Sequence, residues 1–419
     1  MQQPVTAEII SIGDELLYGQ IMDTNSKWLS EEMDKIGVRV VRKTTIGDDH
    51  QSMLGAFEAA AITADIILIT GGLGPTKDDL TKSVLADYFG SSLELFPDAL
   101  EDVRNLFHSR GKELTATNRS QAYLPSNCKY IRNEVGTAPG MWFEEKGKIF
   151  MSMPGVPHEM KYLMEEEVIP RLKKKYQLPV IYHKLVRTVG IGESWLSDLI
   201  SDWEEKLPAH IRLAYLPSLG EVKLRLTAFG THQELLAAEV ETHIERLLPL
   251  ISKYVYGFND DILPTAIGHL LVKHGKTLAL AESCTGGYIS HLITSIPGSS
   301  DYFNGGIIPY HNEFKEAVLG VSAEVLTSNG AVSEATVTEM ARHARNKFHS
   351  DFGLASSGIA GPGGGTKEKP VGLVWIACDD GQACHTRKLQ LTKDRTVNIH
   401  LTAIAALNLL RETILRATT

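Results

Sequence analysis

The sequence predicts an α/β protein with two three-layer α/β/α domains joined by a small α+β connector domain. Strand patterns alternate with helix patterns at both ends of the chain, which is typical of parallel sheets covered by helices. A pair of strand patterns joined by a turn interrupts this alternation in the middle. The length of 419 residues also exceeds the roughly 150 residues of one ordinary domain. We place the domains at residues 1–172, 178–257 and 260–419.

The first domain is predicted from apolar runs and helical spacing. Apolar or β-rich runs predict strands at 7–12, 38–45, 64–70 and 149–153. Apolar residues three and four positions apart predict helices at 25–36 and 50–63, and a further helix through Leu80, Val84 and Leu85. Gly37 is a signal for the end of the first of these helices.

The connector and the last domain are predicted in the same way. The connector should have strands at 184–189, 211–216 and 221–228, and helices at 194–203 and 233–251. The turn residues at 217–220 predict a hairpin. The last domain should have strands at 276–281, 352–356 and 372–378, and helices at 263–273, 288–295, 331–348 and 395–416.

Composition and charge narrow the function classes. The net charge of −9 argues against a general nucleic-acid binder, which should present a basic face. The four cysteines form no CxxC pair and no HExxH motif is present, so a zinc site is not expected and the thiols should be reduced. The N-terminal residues do not resemble a signal peptide, and no apolar run approaches the roughly 20 residues of a membrane span. We therefore expect a cytoplasmic protein with no membrane contact.

Ser283 is the first candidate for chemistry. It follows the predicted strand 276–281 and precedes a predicted helix, where backbone N–H groups can bind a phosphate or stabilise an oxyanion. Thr285, Gly286 and Gly287 keep the turn small, so that a ligand can approach the backbone. An ordinary helix N-cap serine explains the same pattern equally well.

A serine becomes a nucleophile only when a base takes its proton. Tyr310 and Lys315 follow a glycine-rich strand end and could converge on one hydroxyl, since a desolvated lysine can act as a base. By spacing alone, a solvated helix lysine is the better interpretation of Lys315. A third glycine-rich loop, which includes Ser357 and Gly358, also follows a strand and could hold a phosphate or an amide. It lacks the Lys-Ser/Thr ending of an ATP-binding P-loop.

These motifs together resemble the CinA C-terminal domain, the nicotinamide-nucleotide amidase family. The resemblance rests on AESCTGG, PGSSDYFNGGIIPYHNEFK, GAVSE, SGIAGPGGGTKEKPVG and the Asp394-Arg395 pair. It implies a serine amidohydrolase that needs no metal or cofactor and converts nicotinamide mononucleotide to nicotinate mononucleotide and ammonia. By the same resemblance, the nucleophile is Ser283 and its activating groups are Lys315 and Tyr310. The implied substrate-binding residues are Thr285, Gly286, Gly287, Asn312, Ser357, Gly358 and Arg395, the last of these for the phosphate.

Three positions depart from the family pattern. Ser357 stands where the family usually has threonine, and it keeps the hydroxyl. Asn398 stands where a second arginine is common, which leads us to expect weaker phosphate binding. His311 replaces a small residue.

A second candidate site lies in the first domain. The glycine-rich sequence 70–79 follows a buried-strand pattern and opens a helix, so its N–H groups suit a phosphate. The expected phosphate and metal residues at this sheet edge are Asp14, Asp48, Gly71, Gly72, Gly74, Thr76, Asp78 and Asp79. Of these, Asp14, Asp48 and Asp79 are the expected ligands of a divalent metal. Each aspartate taken singly is also explained as a helix N-cap.

This domain resembles the molybdopterin-binding (MogA-like) fold in the form fused in CinA proteins, through SIGDELLYGQIMDTNSKWL, TGGLGPTKDD, NRSQAYLP, NEVGTAPGMWFE and MPGVPHEMK. The resemblance implies a metal-dependent ADP-ribose pyrophosphatase, and so a two-site enzyme of pyridine nucleotide salvage. The alternatives are a molybdopterin-binding protein and a non-enzymatic factor of competence or DNA damage. The expected partners are small nucleotides and a second copy of the chain in a homodimer, without direct nucleic-acid binding.

Overall fold

A computed structural model describes residues 5–76, 79–109 and 111–418. The chain divides into two compact units, one formed by the residues up to Tyr182 together with Phe229–Leu236, the other by His183–Ala228 together with the residues from Ala237 onward. The three domain boundaries expected from the sequence are a separate division and stay a prediction. Among the described residues, no helix has both the length and the apolar character needed to cross a membrane.

The first unit contains eight strands and eight helices among its described residues up to Tyr182. The strands are β1 (Thr6–Ile12), β2 (Arg39–Ile46), β3 (Ile66–Thr70), β4 (Leu93–Leu95), β5 (Tyr123–Pro125), β6 (Lys129–Ile131), β7 (Gly140–Glu145) and β8 (Lys148–Met153). The helices are α1 (Asp14–Leu17), α2 (Thr24–Lys35), α3 (His50–Thr63), α4 (Thr81–Tyr88), α5 (Pro97–Ser109), α6 (Ala116–Arg119), α7 (Pro157–Tyr162) and α8 (Ile169–Lys175). Short helical turns at Ser120–Ala122 and Leu163–Val168 continue α6 and α7.

The main sheet of this unit has the order β2-β1-β3-β8-β7-β6. Its first four strands are parallel, while β7 and β6 are antiparallel to their neighbours. Because successive side chains of a strand point to opposite faces, β1 contributes Ala7 and Ile9 to one apolar core and Ile10 and Ile12 to another. Helices cover both faces, so the unit has the predicted three layers.

The middle of the chain forms a small sheet with two helices. Its strands are β9 (Val180–Val189), β10 (Ile211–Ser218), β11 (Glu221–Gly230) and β12 (Val255–Phe258), in the order β10-β11-β9-β12. Its helices are α9 (Glu193–Glu204) and α10 (Gln233–Ile251). The antiparallel pairing of β10 with β11 around Gly220 confirms the predicted hairpin.

The last part of the chain is built on a five-stranded sheet in the order β14-β13-β15-β16-β17. The strands are β13 (Leu278–Glu282), β14 (Phe303–Ile307), β15 (Phe352–Gly358), β16 (Leu373–Asp379) and β17 (Cys384–Gln390). The helices are α11 (Leu263–Lys273), α12 (Tyr288–Thr294), α13 (Asn312–Phe314), α14 (Ala323–Asn329), α15 (Glu334–Lys347) and α16 (Arg395–Ala417), with helical turns at Ser299–Asp301 and Lys315–Leu319.

The central strand β13 is parallel to both of its neighbours, β14 and β15. Consequently the loops after these three strands emerge at one edge of the sheet. The strands β16 and β17 form an antiparallel hairpin that contains Cys378 and Cys384 as free thiols. Separate apolar cores lie on the two faces of the sheet. The fold class is therefore α/β, as the sequence predicts.

Candidate functional site

Ser283 directly follows the last residue of the central strand β13. Its backbone N–H donates to the Ser356 carbonyl of β15 at 3.0 Å, and the residue is 8% exposed. The Thr285 hydroxyl lies 2.7 Å from the Ser356 hydroxyl. The turn that bears Ser283 is thus fixed to the neighbouring strand, and Ser356 is a residue that sequence reasoning did not select.

The helix after Ser283 begins at Tyr288, as predicted, so Ser283 is not its N-cap residue. The N-cap of α12 is Gly287, in the left-handed region at φ 96°. This positive φ favours glycine, and a Cβ atom there would also require the end of the Ile308 side chain, 2.8 Å away at Cδ1, to move. Gly286 has a positive φ of 61°, which a larger residue rarely adopts.

Three N–H groups at the start of α12 are already bound, because Glu282 accepts them. Its carboxylate oxygens accept hydrogen bonds from the N–H groups of Gly287, Ile289 and Ser290, at 3.1, 3.0 and 2.7 Å. The Ser290 hydroxyl donates to the same group at 2.6 Å. Glu282 is fully buried. The helix end expected to receive a substrate anion is therefore occupied by the protein's own carboxylate, and the signal in the sequence was an acidic residue ending an apolar strand.

Lys315 is buried, although spacing alone favoured a solvated lysine. It is 1% exposed, and its Nζ donates to the carbonyls of Pro309 at 2.9 Å and Tyr310 at 3.2 Å. Burial lowers the pKa of Lys315, against a smaller opposing effect of Cys284, the neighbour of Ser283. Lys315 therefore lies near the serine turn in a setting that favours its neutral amine.

Tyr310 has a different contact from the one expected. Its ring is 57% exposed, and its hydroxyl accepts a hydrogen bond from Arg395 Nη2 at 2.8 Å. Arg395 Nη1 donates to the Gly361 carbonyl at 2.8 Å. Arg395, the first residue of α16, thus joins the loop after β14 to the loop after β15. Asn312 lies close along the chain in α13 and is exposed.

Ser357 and Asn398 are both buried and hold loops in place. The Ser357 hydroxyl donates to the Ala331 carbonyl at 2.6 Å. Asn398 Nδ2 donates to the Ala360 carbonyl at 2.9 Å, and Asn398 Oδ1 accepts from the Thr392 N–H at 2.9 Å. Gly358 is required by space, since a Cβ there would lie 2.6 Å from Val374 Cγ2.

In the first unit, the glycine-rich loop after β3 is closed by its own aspartate. Asp79 Oδ1 accepts from the Gly74 N–H at 2.7 Å, and Asp79 Oδ2 accepts from the Thr76 N–H at 2.9 Å and from the Thr76 hydroxyl. Gly71 is required by close packing, because a Cβ there would lie 2.1 Å from the Ile12 carbonyl. The N–H groups expected to bind a phosphate are therefore used within the loop, which corrects that interpretation of Gly74 and Thr76.

The remaining carboxylates of that edge are close together. The Asp14 N–H donates to Asp48 Oδ2 at 3.1 Å. Burial raises the pKa of Asp48, and the charges of Asp14, Glu15 and Asp79 act in the same direction. The adjacent Asp49 is the N-cap of α3, accepting from the Ser52 N–H at 2.8 Å, so the simpler cap interpretation holds for that residue.

These side chains, in the arrangement seen, do not by themselves supply three ligands for a metal ion. Among the described residues, no group of three or more His, Cys, Asp or Glu side chains could hold a metal ion. Asp79 has both carboxylate oxygens bound to its loop, and the expected residue Asp78 lies outside the described residues. The ligand set of Asp14, Asp48 and Asp79 stays a prediction.

Lys82 is a buried group near this edge that the sequence analysis missed. It is 9% exposed, on α4, and its Nζ donates to the Ser120 carbonyl at 3.2 Å. Burial lowers the pKa of Lys82 to about 8, while the charge of Asp79 acts in the opposite direction. Its helix position alone gives no sign of burial.

Comparisons with known proteins assign the three parts of the chain. The family described as "CinA C-terminal domain" matches residues 260–414, "Probable molybdopterin binding domain" matches residues 8–174, and "Damage-inducible protein CinA KH domain" matches residues 183–257. The fold and these matches define a protein that combines a molybdopterin-binding type of domain with a CinA C-terminal domain.

Relatives extend this similarity to nearly the full chain. A CinA-like protein of Cytophaga hutchinsonii is 49% identical over 411 residues, which cover 98% of each chain. A CinA-like protein of Flavobacterium psychrophilum is 42% identical over 412 residues, covering 98% of this chain and 99% of the relative. A crystal structure of CinA from Thermoplasma acidophilum is 32% identical, with a TM-score of 0.37, and covers 41% of this chain and 98% of its own. The chain belongs to the CinA family.

The match to a KH domain at residues 183–257 was not predicted from the sequence, which indicated only a small α+β connector. KH domains commonly clamp single-stranded nucleic acid with a G-x-x-G loop. Residues 183–257 contain Gly190, Gly192, Gly220, Gly230 and Gly257, and no two of these have the G-x-x-G spacing. The absence of direct nucleic-acid binding stays a prediction.

Proposed function

We propose that the C-terminal part of the chain hydrolyses the carboxamide of nicotinamide mononucleotide, giving nicotinate mononucleotide and ammonia, with Ser283 as the nucleophile. The observation that carries this proposal is the setting of Lys315. A neutral lysine amine has two N–H groups and one lone pair, and two carbonyls already accept hydrogen bonds from Lys315 Nζ. The form with a free lone pair is the one that can take a proton from serine.

The reaction then proceeds in two balanced steps. Ser283 Oγ attacks the carboxamide carbon while its proton passes to the Lys315 amine, and the C–N bond breaks as that proton goes to the leaving ammonia. The resulting ester is hydrolysed by water, which supplies the hydroxyl of the new carboxylate and a proton to Ser283. Lys315 is again the base that activates the water.

Substrate binding is assigned to the loops around Ser283. Arg395 is exposed at the mouth of this edge and carries the charge that a nucleotide phosphate requires. The glycine-rich loop whose Gly361 carbonyl binds Arg395 supports the same end of the substrate. The role of Tyr310 in activating Ser283 stays a prediction, because its hydroxyl binds Arg395 in this structure.

The test is ammonia release from nicotinamide mononucleotide by the purified full-length chain, with and without EDTA. We expect activity that survives EDTA, falls at least about 1,000-fold in Ser283→Ala, and is unchanged in Ser295→Ala. Ser295 is a matched control, because it is an exposed serine at the end of α12. An unimpaired Ser283→Ala variant, or a wild-type chain without activity, contradicts the proposal.

A second proposal concerns residues 8–174, for which we infer metal-dependent hydrolysis of ADP-ribose. It is supported by the neighbouring carboxylates of Asp14 and Asp48, since Mg²⁺ is commonly held by one or two carboxylates together with substrate phosphates. The cation would neutralise charge on the pyrophosphate.

The test is the Mg²⁺- or Mn²⁺-dependent rate of ADP-ribose hydrolysis, which Asp48→Asn should lower at least about ten-fold. Asp49→Asn is the control and should keep the rate, because asparagine also caps helices. Equal rates in both variants, or co-purified pterin without hydrolysis, contradict this assignment.

A further inference from the structure

A cavity of about 280 Å³ lies between β12, α11 and α16, away from the residues assigned to amide hydrolysis. Arg395 and Arg411 are 16 residues apart on α16 (411 − 395), which corresponds to about 24 Å along a helix axis. The cavity walls combine apolar side chains, among them Tyr256, Leu270 and Leu415, with the basic groups of Lys273 and Arg411.

Arg411 is the unusual member of this cavity. It is 2% exposed, yet among the described residues no carboxylate forms an ion pair with it. Its guanidinium donates to the main-chain carbonyls of Val255 at 3.1 Å and of Lys253, and its Nε donates to Asn408 Oδ1 at 3.1 Å. Burial lowers the pKa of Arg411, but a guanidinium stays charged in proteins. The charge of Glu412 opposes this effect of burial, but these hydrogen bonds of Arg411 all go to neutral groups. Burying a cation in this way is costly, and a further anion beside it would offset that cost.

Two acidic residues lie at or near the cavity, Asp261 in its wall and Glu412 beside Arg411. Asp261 Oδ2 accepts from the Phe258 N–H at 2.8 Å. Glu412 binds Arg387 at 2.9 Å and Asn408 at 2.9 Å. Lys273, by contrast, is an exposed residue in the cavity wall. The cavity therefore combines a buried cation, a second cation at its solvent side, one carboxylate that binds a backbone N–H, and apolar walls.

We propose that this cavity binds a small organic anion, a phosphate or carboxylate carried on a compact apolar body. Ligand sites usually measure about 300–1,000 Å³ and place a few polar groups among apolar walls. The present volume of about 280 Å³ lies just below that range and sets the size of the ligand. The anionic group binds Arg411 and Lys273, and the apolar body contacts Tyr256 and Leu415. Because α11, α16 and β12 all contribute, the bound anion also ties these elements together.

The probe is phenyl phosphate, with phenol as its uncharged counterpart, in isothermal titration calorimetry on the full-length chain. Two variants address the cavity without removing the hydrogen bonds of Arg411. Lys273→Met removes the exposed cation, and Ala266→Phe fills the cavity from α11. Arg395→Met is the control for binding at the proposed amidase site, and Lys388→Met is the control for the loss of one exposed positive charge. Circular dichroism confirms that each variant is folded.

We expect phenyl phosphate to bind with a component that weakens at least ten-fold in Lys273→Met and in Ala266→Phe and persists in Arg395→Met and Lys388→Met. Phenol should bind at least ten-fold more weakly than phenyl phosphate. The same titration with sulfobenzoate or benzoate measures the affinity for a sulfonate or a carboxylate. Comparison with phenyl phosphate shows which anionic group the cavity prefers. The proposal is overturned if no binding component depends on Lys273 and Ala266, if binding is lost only in Arg395→Met, or if phenol binds equally well.

Discussion

Arg395 Nη2 donates a hydrogen bond to the hydroxyl of Tyr310 at 2.8 Å, and this contact joins the start of α16 to the loop after β14, 85 residues earlier in the sequence. The second Nη atom of Arg395 binds the Gly361 carbonyl. Hydrogen bonds therefore connect three loops at the sheet edge, those after β13, β14 and β15. The residues that form these contacts include Ser356, Tyr310 and Gly361. An exposed guanidinium that keeps free N–H groups beside these contacts is well placed for a phosphate.

Arg395→Met should raise the KM for nicotinamide mononucleotide at least about ten-fold and change kcat much less, because binding to the phosphate is made in both ground and transition states. Arg416→Met, at the other end of the same helix, is the control. Steady-state kinetics of ammonia release measure both constants. A KM within two-fold of the wild-type value in Arg395→Met would exclude phosphate recognition by this residue.

Tyr310→Phe separates the two roles considered for Tyr310. The structure places its hydroxyl on Arg395, so we expect the substitution to raise KM by about three- to ten-fold, with a nearly unchanged kcat. If Tyr310 activates Ser283, as the family resemblance implies, kcat falls by about 100-fold or more instead. The same kinetic measurement distinguishes these outcomes.

The pH profile tests the role of Lys315. Because burial lowers the pKa of Lys315, its neutral amine is present at lower pH than for a free lysine, whose pKa is about 10.4. We expect kcat/KM to rise with pH and to level off below that value, as the base becomes deprotonated. Lys315→Met should lose most of the activity, and its kcat/KM should no longer rise with pH. Lys347→Met, on α15, should keep the activity and the rise of kcat/KM with pH. A flat profile in the wild-type chain would contradict a lysine base.

Glu282→Gln tests whether the buried carboxylate holds the nucleophile turn. The glutamate accepts four hydrogen bonds, and a glutamine would direct its NH₂ group at N–H donors. We expect the free energy of unfolding to fall by about 2–3 kcal/mol, measured by urea denaturation. Glu313→Gln, an exposed glutamate near the same site, should change it by less than about 0.5 kcal/mol. Equal values for both variants would show that Glu282 is not needed for the turn.

Much of the fold follows from local pattern alone. The helix α3 has the bounds that the sequence predicts, since Asp49 caps its first turn and the periodic apolar residues end before Ala64. Six parallel strands match predicted ranges, because buried strands are short apolar runs between turn residues; these are β1, β2, β3, β8, β13 and β15. The hairpin of β7 and β8 was missed, although its turn contains Lys146 and Gly147 with positive φ values of 51° and 79°. One glycine in a charged stretch is a weak signal for a hairpin.

The site is less predictable than the fold, for a physical reason. That Ser283, Lys315 and the glycine-rich loops follow strands can be read from the chain. Which N–H groups remain free cannot, because Glu282 and Asp79 accept them through contacts that depend on the folded turn. Asn398 shows the same limit: it was expected to weaken phosphate binding, but it is buried and binds Ala360 and Thr392. The Asn398 side chain holds a loop in position through these hydrogen bonds. Its buried location does not indicate a contact with a phosphate.

Lys82→Met tests the buried lysine of the first unit through the pH dependence of stability. The folded-state pKa of Lys82 is lowered to about 8 from 10.5, so the unfolded chain binds more protons between these two values. The free energy of unfolding of the wild-type chain should therefore increase as pH rises from about 8 to 10.5. Below pH 8 the folded chain carries the full cost of burying the charged Lys82 ammonium. The difference of 2.5 pKa units (10.5 − 8) corresponds to about 3 kcal/mol.

The measurement is the free energy of unfolding of wild type and Lys82→Met in urea at about pH 7 and again near pH 10. Between these two pH values, the free energy of unfolding of the wild type should rise by up to about 3 kcal/mol relative to that of Lys82→Met. The reason is that methionine does not titrate. Lys27→Met, at an exposed position on α2, shows the general effect of losing one positive charge. If Lys82→Met and wild type keep a constant difference at both pH values, Lys82 is not the buried titrating group that the structure indicates.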